Sequence, residues 1–462
     1  MSGNYEYAGQ FVADKVKLFA SSGTVVDITK LVTALNLYED LYKACITGDI
    51  TIVDTNNVIM EAPIIGQEFL GFKITTPGID EFALDYSTHV FTVTKINSRQ
   101  SPRPGVMVYS LAFSSPEGLR NERTRVSKSY ADSIDGIVED VLSSAKYINT
   151  KKTLFMEETK GIKKMVVPYL HPHKLINQLK MEAISKKHDS PHYMFYENTL
   201  GVHFRTLDSM YAQKSIADFH AGDMGGEVSL EEELKRVLQF QIVGSNDMLI
   251  NVVTGMLASN VLTHDIYRKE YKHEDFEYLS DFHENNRAHY DDMNKDNPIY
   301  NDVPIDEFDN TVSEFTDAKR YFHPTSTIIN NSDAQHYAEG NNPYTANNIS
   351  KTIMSRKSKV AELTQGVSVI IQTHGTTSLC IGSIVKFNVP VTGATHSGES
   401  SDVYLSGRYL IKSLRHMFDF STKKHTCAMT LVKDSISKQL PLDDLAIEPK
   451  AESRGIISEF YS

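Results

Sequence analysis

Short apolar runs broken by turn residues open the sequence: 16–19 (VKLF), 46–53 (ITGDITIV), 69–75 (FLGFKIT), 89–96 (HVFTVTKI) and 106–113 (VMVYSLAF). Runs of this length, enriched in β-branched and aromatic residues, predict strands. The regular turn signals between them favour a sandwich or barrel over residues 1–125. The period changes at Tyr130. Ile134, Ile137, Val138, Val141 and Leu142 recur at three- and four-residue spacing, which predicts an amphipathic helix over 131–146. Pro172 suits the first turn of a second helix, whose apolar face is Leu175, Ile176, Leu179, Ala183 and Ile184. A hairpin follows at 193–196 and 201–205, so 126–225 reads as a smaller α+β domain.

Residues 221–226 (AGDMGG) form a joint. Beyond it, helical spacing at Leu249, Val252, Val253 and Met256 mixes with extended runs such as 239–243 (QFQIV). From 280 to 350 the chain is rich in Asn and Asp, with Pro298, Pro304, Pro324 and Pro343. A compact domain seldom holds so long a polar stretch, and we expect a surface insertion. Strands resume at 367–372, 384–389, 403–414 and 425–432. Residues 226–279 and 351–435 therefore make a second β domain, and 436–462 a tail.

The two β regions share a pattern. Phe91, Val93 and Ile96 precede a turn, and Tyr109, Leu111 and Phe113 follow it. Tyr409, Ile411 and Leu414 precede another turn, and Cys427, Met429 and Leu431 follow that one. Each pair is offset by 318 residues without a gap. The pattern predicts two hairpins of equal loop length with the same alternate residues facing a core.

Composition narrows the function classes. With 462 residues, several domains are expected, and 40% apolar content with 10% aromatics is globular. No run approaches the roughly 18 apolar residues of a membrane span, and MSGNYEYAGQ lacks the order of a signal peptide. Membrane insertion is not expected, and a cytoplasmic site of synthesis is. The net charge of −12 opposes sequence-specific nucleic-acid binding. Residues 270–319 hold fifteen acidic against four basic residues, so one segment supplies nearly all of it. Cys45, Cys380 and Cys427 are too few for a disulfide framework; Cys380 and Cys427 are expected to pack as small hydrophobes.

These features resemble the baseplate hub family: the central ring protein of contractile (myovirus) phage tails, and the hub portion of VgrG spike proteins of type VI secretion. Segment 25–53 (VVDITKLVTALNLYEDLYKACITGDITIV) is similar to the family's first strands, and 168–205 to its helix and hairpin. Residues 246–267 resemble the approach to the second barrel, 379–387 (LCIGSIVKF) a late strand, and 407–433 the closing hairpin. The resemblance implies two tail-tube-like β-barrel domains flanking the α+β domain, with 280–350 as an insertion it does not cover. It also implies a homotrimer whose six similar modules join a hexameric tube to a threefold spike. The implied partners are the tail tube protein, the spike, the tape-measure protein and other baseplate proteins, in the virion tail baseplate assembled in a bacterial cytoplasm.

Motifs for chemistry are missing or malformed. No P-loop and no G-x-S-x-G turn occurs. His283 and His289 are six residues apart, which is wrong for a helical zinc pair, and His171 and His173 flank a proline; all are expected at the surface. Asp292, Asn294 and Asp296 begin like a calcium loop but lack its Gly and Glu. Ser143 and Lys146 have the spacing of a nucleophile pair without its companions. Glu231–Glu233 and Asp291–Asp292 are expected to be solvated. No catalytic residue, cofactor or metal is assigned. The alternative is a tail-associated peptidoglycan hydrolase, which needs two carboxylates facing across a cleft.

Overall fold

The computed structural model describes residues 6–61, 64–78, 82–222, 229–244, 247–265, 269–284, 286–289, 297–300, 304–305, 310–325, 350–391 and 401–437. Much of the expected insertion 280–350 and nearly all of the tail 436–462 lie outside them. No described helix is long and apolar enough to cross a membrane.

Thirteen strands form one large sheet. In chain order they are β1 (Lys17–Phe19), β2 (Val25–Asp27), β3 (Val32–Asp40), β4 (Thr47–Asp54), β5 (Phe69–Gly71), β6 (Phe91–Arg103) and β7 (Val106–Ser114). Then follow β8 (Ser215–His220), β9 (Val237–Gly244), β10 (Val367–His374), β11 (Ile384–Asn388), β12 (Gly407–Asp419) and β13 (Lys424–Lys433). The spatial order is β9-β10-β13-β12-β3-β4-β7-β6-β5-β1-β2, with β11 joined to β12 and to β8. The sequence predicts two barrels; the described strands instead lie in one continuous, open sheet. The reason is visible in β12. Its first residues pair with β11 through Leu410, and from Ser413 to Asp419 it runs antiparallel to β3. Strands from the two halves of the chain are thus bonded edge to edge.

Alternation decides which side chains enter the core. On β4, every second residue is buried. Gly48 is needed there because a Cβ would stand 2.3 Å from the Phe113 ring. One core gathers Leu35, Leu37, Ile50, Ile52, Phe91, Tyr109 and Phe113, and Phe418 reaches it from β12. Phe91 lies 4.9 Å from Phe113, ring centre to ring centre, within the range for favourable aromatic pairs, and 4.4 Å from Tyr86. A second core holds Val369, Ile371, Ile384, Tyr409, Ile411, Leu414, Met429 and Leu431.

The third core is helical on one side. Helix α1 (Ile134–Ser143) is capped by the Ser133 side chain, which accepts from the Gly136 amide, and it buries all five predicted apolar residues. It packs with α2 (Pro172–Leu179) against the hairpin of Tyr193–Asn198 and Gly201–Thr206. Two segments depart from the sequence reading. Ser215–His220, expected within the α+β domain, joins the large sheet as β8, parallel to β11. Ala258–Asp265 and Glu270–Glu277, expected among the second set of β strands, make a separate sheet with Arg320–Thr325. Arg320–Thr325 pairs in parallel with Ala258–Asp265 and draws it from the large sheet. Helices α3 (Met248–Thr254) and α4 (Ser350–Gln365) accompany this smaller sheet, and Met354 enters its core with Leu257, Val261 and Phe276.

Candidate functional site

The twelve positions of the hairpin pattern fall on β6, β7, β12 and β13. Phe91, Val93, Tyr109, Leu111 and Phe113 are buried in the first core, and Ile96 packs against it half-buried. Tyr409, Ile411, Leu414, Cys427, Met429 and Leu431 are buried in the second. Their pairing can be compared strand by strand. Phe113 faces Val93 and Ala112 faces Lys95, leaving Thr94 as an extra residue in β6. Leu431 faces Ile411 and Thr430 faces Ser413, leaving Lys412 extra in β12. One neighbour further, Val32 and Ala34 face Ile52 and Thr51, with Thr33 extra. Val237 and Gln239 face Thr373 and Gln372, with Leu238 extra. A bulge of this kind re-aims a strand and marks a fixed register. β6 carries a further irregularity at Asn97.

This alignment sets β3 beside β9 as corresponding strands, and their surroundings differ. Leu35 and Leu37 of β3 are 0% exposed, because β12 lies alongside and Phe418 covers them. Phe240 and Ile242, at the corresponding places on β9, are 41% and 46% exposed. Among the described residues β9 ends the sheet. Its sequence, VLQFQIVG, has no charge, and Leu238 and Val243 are also exposed. Helix α3 also exposes Leu249 and Val253. An unguarded apolar edge strand invites another strand. At the far side of the eight central strands, β5 pairs with β6 only at Phe91 and Thr92, and Thr94–Arg103 is largely exposed.

Buried charges tie the layers together, and sequence reasoning missed them. Lys152 binds Glu197 and lies 2.8 Å from Glu117. Glu197 also accepts from the Ile46 amide at 3.1 Å and from the Ser115 hydroxyl at 2.8 Å, linking the ends of β4 and β7 to the α+β core. Burial raises the Glu197 pKa although Lys152 opposes it. For Glu117, burial is outweighed by Lys152, and its pKa falls. A second cluster joins Arg287 to Glu362 at 2.7 Å and Lys359 to Asp434. Breaking such a buried pair by removing one partner costs about 3–5 kcal/mol. Isolated charges in a sequence give no sign of which ones will pair across such distances.

Among the described residues, those weighed for chemistry do not assemble. The Ser143 hydroxyl donates to the Glu139 carbonyl at 2.7 Å, as an ordinary helix side chain does. Glu232 caps its own short helix together with Ser229. Asp291–Asp296 lies outside the described residues. His171 precedes α2, its Nδ1 2.8 Å from the Asn121 carbonyl. The expectation of a surface His289 is corrected: it is fully buried, and its Nε2 accepts from the Arg408 amide at 3.1 Å. His192, His203, His416 and His425 are buried as well.

No model of a known protein family matches the sequence, and no curated protein matches it either. Solved structures do. A tail protein from Neisseria meningitidis MC58 superposes with a TM-score of 0.50 at 8% identity, over 92% of this chain and 97% of that one. The 43 kDa tail protein of prophage MuSo2 from Shewanella oneidensis gives 0.50 at 9% identity, over 92% and 100%. An E. coli component of the type VI secretion system gives 0.42 at 10% identity, over 92% and 79%. With an open β-dominated sheet, a helical third core and near-complete coverage of two tail proteins, the chain has the fold of that group.

Proposed function

We propose that this chain is the central hub of a contractile-tail baseplate: a homotrimer whose ring adapts a hexameric tail tube to a trimeric spike. The strands β3-β4-β7-β6 and β9-β10-β13-β12 are two copies of one module. Shared bulges and shared register support this equivalence. Within the chain they are joined head to tail, β12 of one against β3 of the other. The free ends are then β9 and β6, the same two kinds of edge that already meet inside. A head-to-tail contact repeated between chains closes into a ring when the rotation allows, and the hub resemblance sets the number of chains at three. Eight strands per chain make twenty-four in the ring. At ordinary strand spacing and tilt its backbone is roughly 45–50 Å across.

The observation that carries this reading is the pair Phe240 and Ile242, bare where Leu35 and Leu37 are covered. The neighbour's β6 would cover them, and each interface buries more than about 2,000 Å². Nothing in the arrangement calls for bond-making chemistry; the role is structural. Tail tube, spike, tape-measure and other baseplate proteins are its partners, and the virion tail baseplate is its place after assembly in the host cytoplasm. The insertion 280–350 decorates the outside or underside of the ring, since its net −9 charge would repel itself in a narrow channel.

Transposing the internal seam, with Asn97 allowed for, sets Gln100 of one chain opposite Gln241 of the next. The double variant Gln100→Cys/Gln241→Cys should give disulfide-linked dimers and trimers on a non-reducing gel. Each single variant should give monomers. A double variant that stays monomeric while folded rejects the ring.

A further inference from the structure

Three buried side chains in the second core converge on one point. His416 on β12 and His425 and Cys427 on β13 are each 0% exposed. His416 Nδ1 is 3.0 Å from His425 Nε2. Cys427 Sγ is 3.3 Å from the first nitrogen and 3.4 Å from the second. These three distances form a closed triangle of ligand atoms.

Protons account poorly for such a triangle. Each imidazole nitrogen offers either a hydrogen or a lone pair, so one N–H and one S–H satisfy at most two of the three edges. One outer atom fares no better. His425 Nδ1 is buried without a hydrogen-bond partner among the described residues. Orphaned buried polar atoms are costly.

A cation at the centre removes the difficulty. Tetrahedral zinc, with bonds of about 2.0–2.1 Å to nitrogen and about 2.3 Å to sulfur, sets ligand atoms roughly 3.3 and 3.5 Å apart. The observed edges lie within a few tenths of these. Ligation through His416 Nδ1 leaves a hydrogen on Nε2, which faces Glu39 Oε1 at 3.8 Å. A carboxylate behind a ligating histidine is the usual second partner of a metal site. The rings are also held in place. Phe418 stacks on His425 with centres 4.1 Å apart, and a Cβ on Gly375 would stand 2.3 Å from the His425 ring. Thr373, opposite Cys427 on β10, adds a buried hydroxyl lacking a partner, on the same face of the sheet.

We propose that His416 Nδ1, His425 Nε2 and Cys427 Sγ bind a structural zinc ion beneath the seam between β12 and β3, with Glu39 as the carboxylate behind His416. The fourth position falls to the Thr373 hydroxyl or a water. On binding, the Cys427 thiol gives up its proton to solvent and the thiolate joins the metal; no oxidation state changes. The site stands independently of the trimer, since all of its residues belong to one chain.

The test uses the full chain, purified without a polyhistidine tag from zinc-supplemented culture. Elemental analysis should find about one zinc per chain. Exchange for cobalt(II) should bring the visible absorption of a tetrahedral site and a thiolate-to-metal charge-transfer band. Cys427→Ala should lose that band and hold at least about tenfold less zinc, while Cys380→Ala keeps both. A wild-type chain that melts cooperatively yet holds no zinc and stays colourless with cobalt overturns the proposal, whether or not Cys427→Ala folds. A band that survives Cys427→Ala and vanishes in Cys380→Ala overturns it too.

Discussion

Strands β3 and β9 share length class, bulge position and alternation, and they differ in what lies beside them. β3 runs along β12 for seven residue pairs, and its Leu35 and Leu37 are sealed. β9 has β10 on one side, and the other side, with Phe240 and Ile242, is open. The residues on β9 are if anything more apolar than a free edge tolerates, for β9 lacks the charges and prolines that usually protect one. The difference teaches that equivalent strands are sealed or exposed according to their neighbours, and in the proposed ring β9 would take on the surroundings that β3 already has.

The severest way to break this comparison is Phe240→Asp. A carboxylate at the centre of the contact should convert the trimer wholly to folded monomer, read by light scattering after size exclusion. A variant still trimeric would show that β9 is not the contact. Next comes a pair of smaller changes. Leu35→Ala should cost about 3–4 kcal/mol in denaturant unfolding, as a sealed core leucine does. Phe240→Ala, measured in the monomer, should cost less, about 1–2 kcal/mol, since two-fifths of its surface is already exposed. Equal costs would mean that the two strands are not in different states.

The two hairpins also end differently, and pH can tell them apart. β7 ends near Ser115, which serves Glu197. β13 ends at Lys433, whose ammonium donates to the Tyr404 and Ser406 carbonyls; burial lowers its pKa from 10.5 to about 7. The folded chain therefore releases this proton before the unfolded chain does. Stability from this group should rise from about pH 7 to 10.5 by about 1 kcal/mol per pH unit, and the penalty should be fully present below pH 7. Lys433→Met should flatten that slope in thermal melts across the range. The smallest effect belongs to the outer face of the seam. Arg415 donates to Asn36 and lies over the Tyr38 ring, exposed to solvent. Arg415→Ala should cost roughly 0.5 kcal/mol; a larger loss would place more of the seam's strength on its surface.

Local periodicity made much of the fold legible. The helical spacing from Ile134 to Leu142 and the proline at 172 mark two helices that the structure contains, and the apolar alternation from Phe91 to Phe113 marks a hairpin that it also contains. What the sequence hides is pairing at long range. β12 and β3 meet although more than 360 residues separate them, and alternation is silent about which edge meets which. The same blindness put Ala258–Asp265 among the second set of strands, because its partner Arg320–Thr325 lies within the stretch read as insertion. His416 and His425 were missed for another reason. The spacing rules for metal ligands are written for one helix, whereas here the ligands come from two neighbouring strands whose register brings His416 opposite Cys427.

The fusion through β12 and β3 has a consequence for arithmetic. If every polypeptide brings its modules already coupled in twos, a closed circle assembled from such polypeptides contains an even number of them. Errors of five or seven, open to a ring of single-module subunits, are unavailable by construction. The parity of the count is thereby written into the covalent chain, before any subunit has met another.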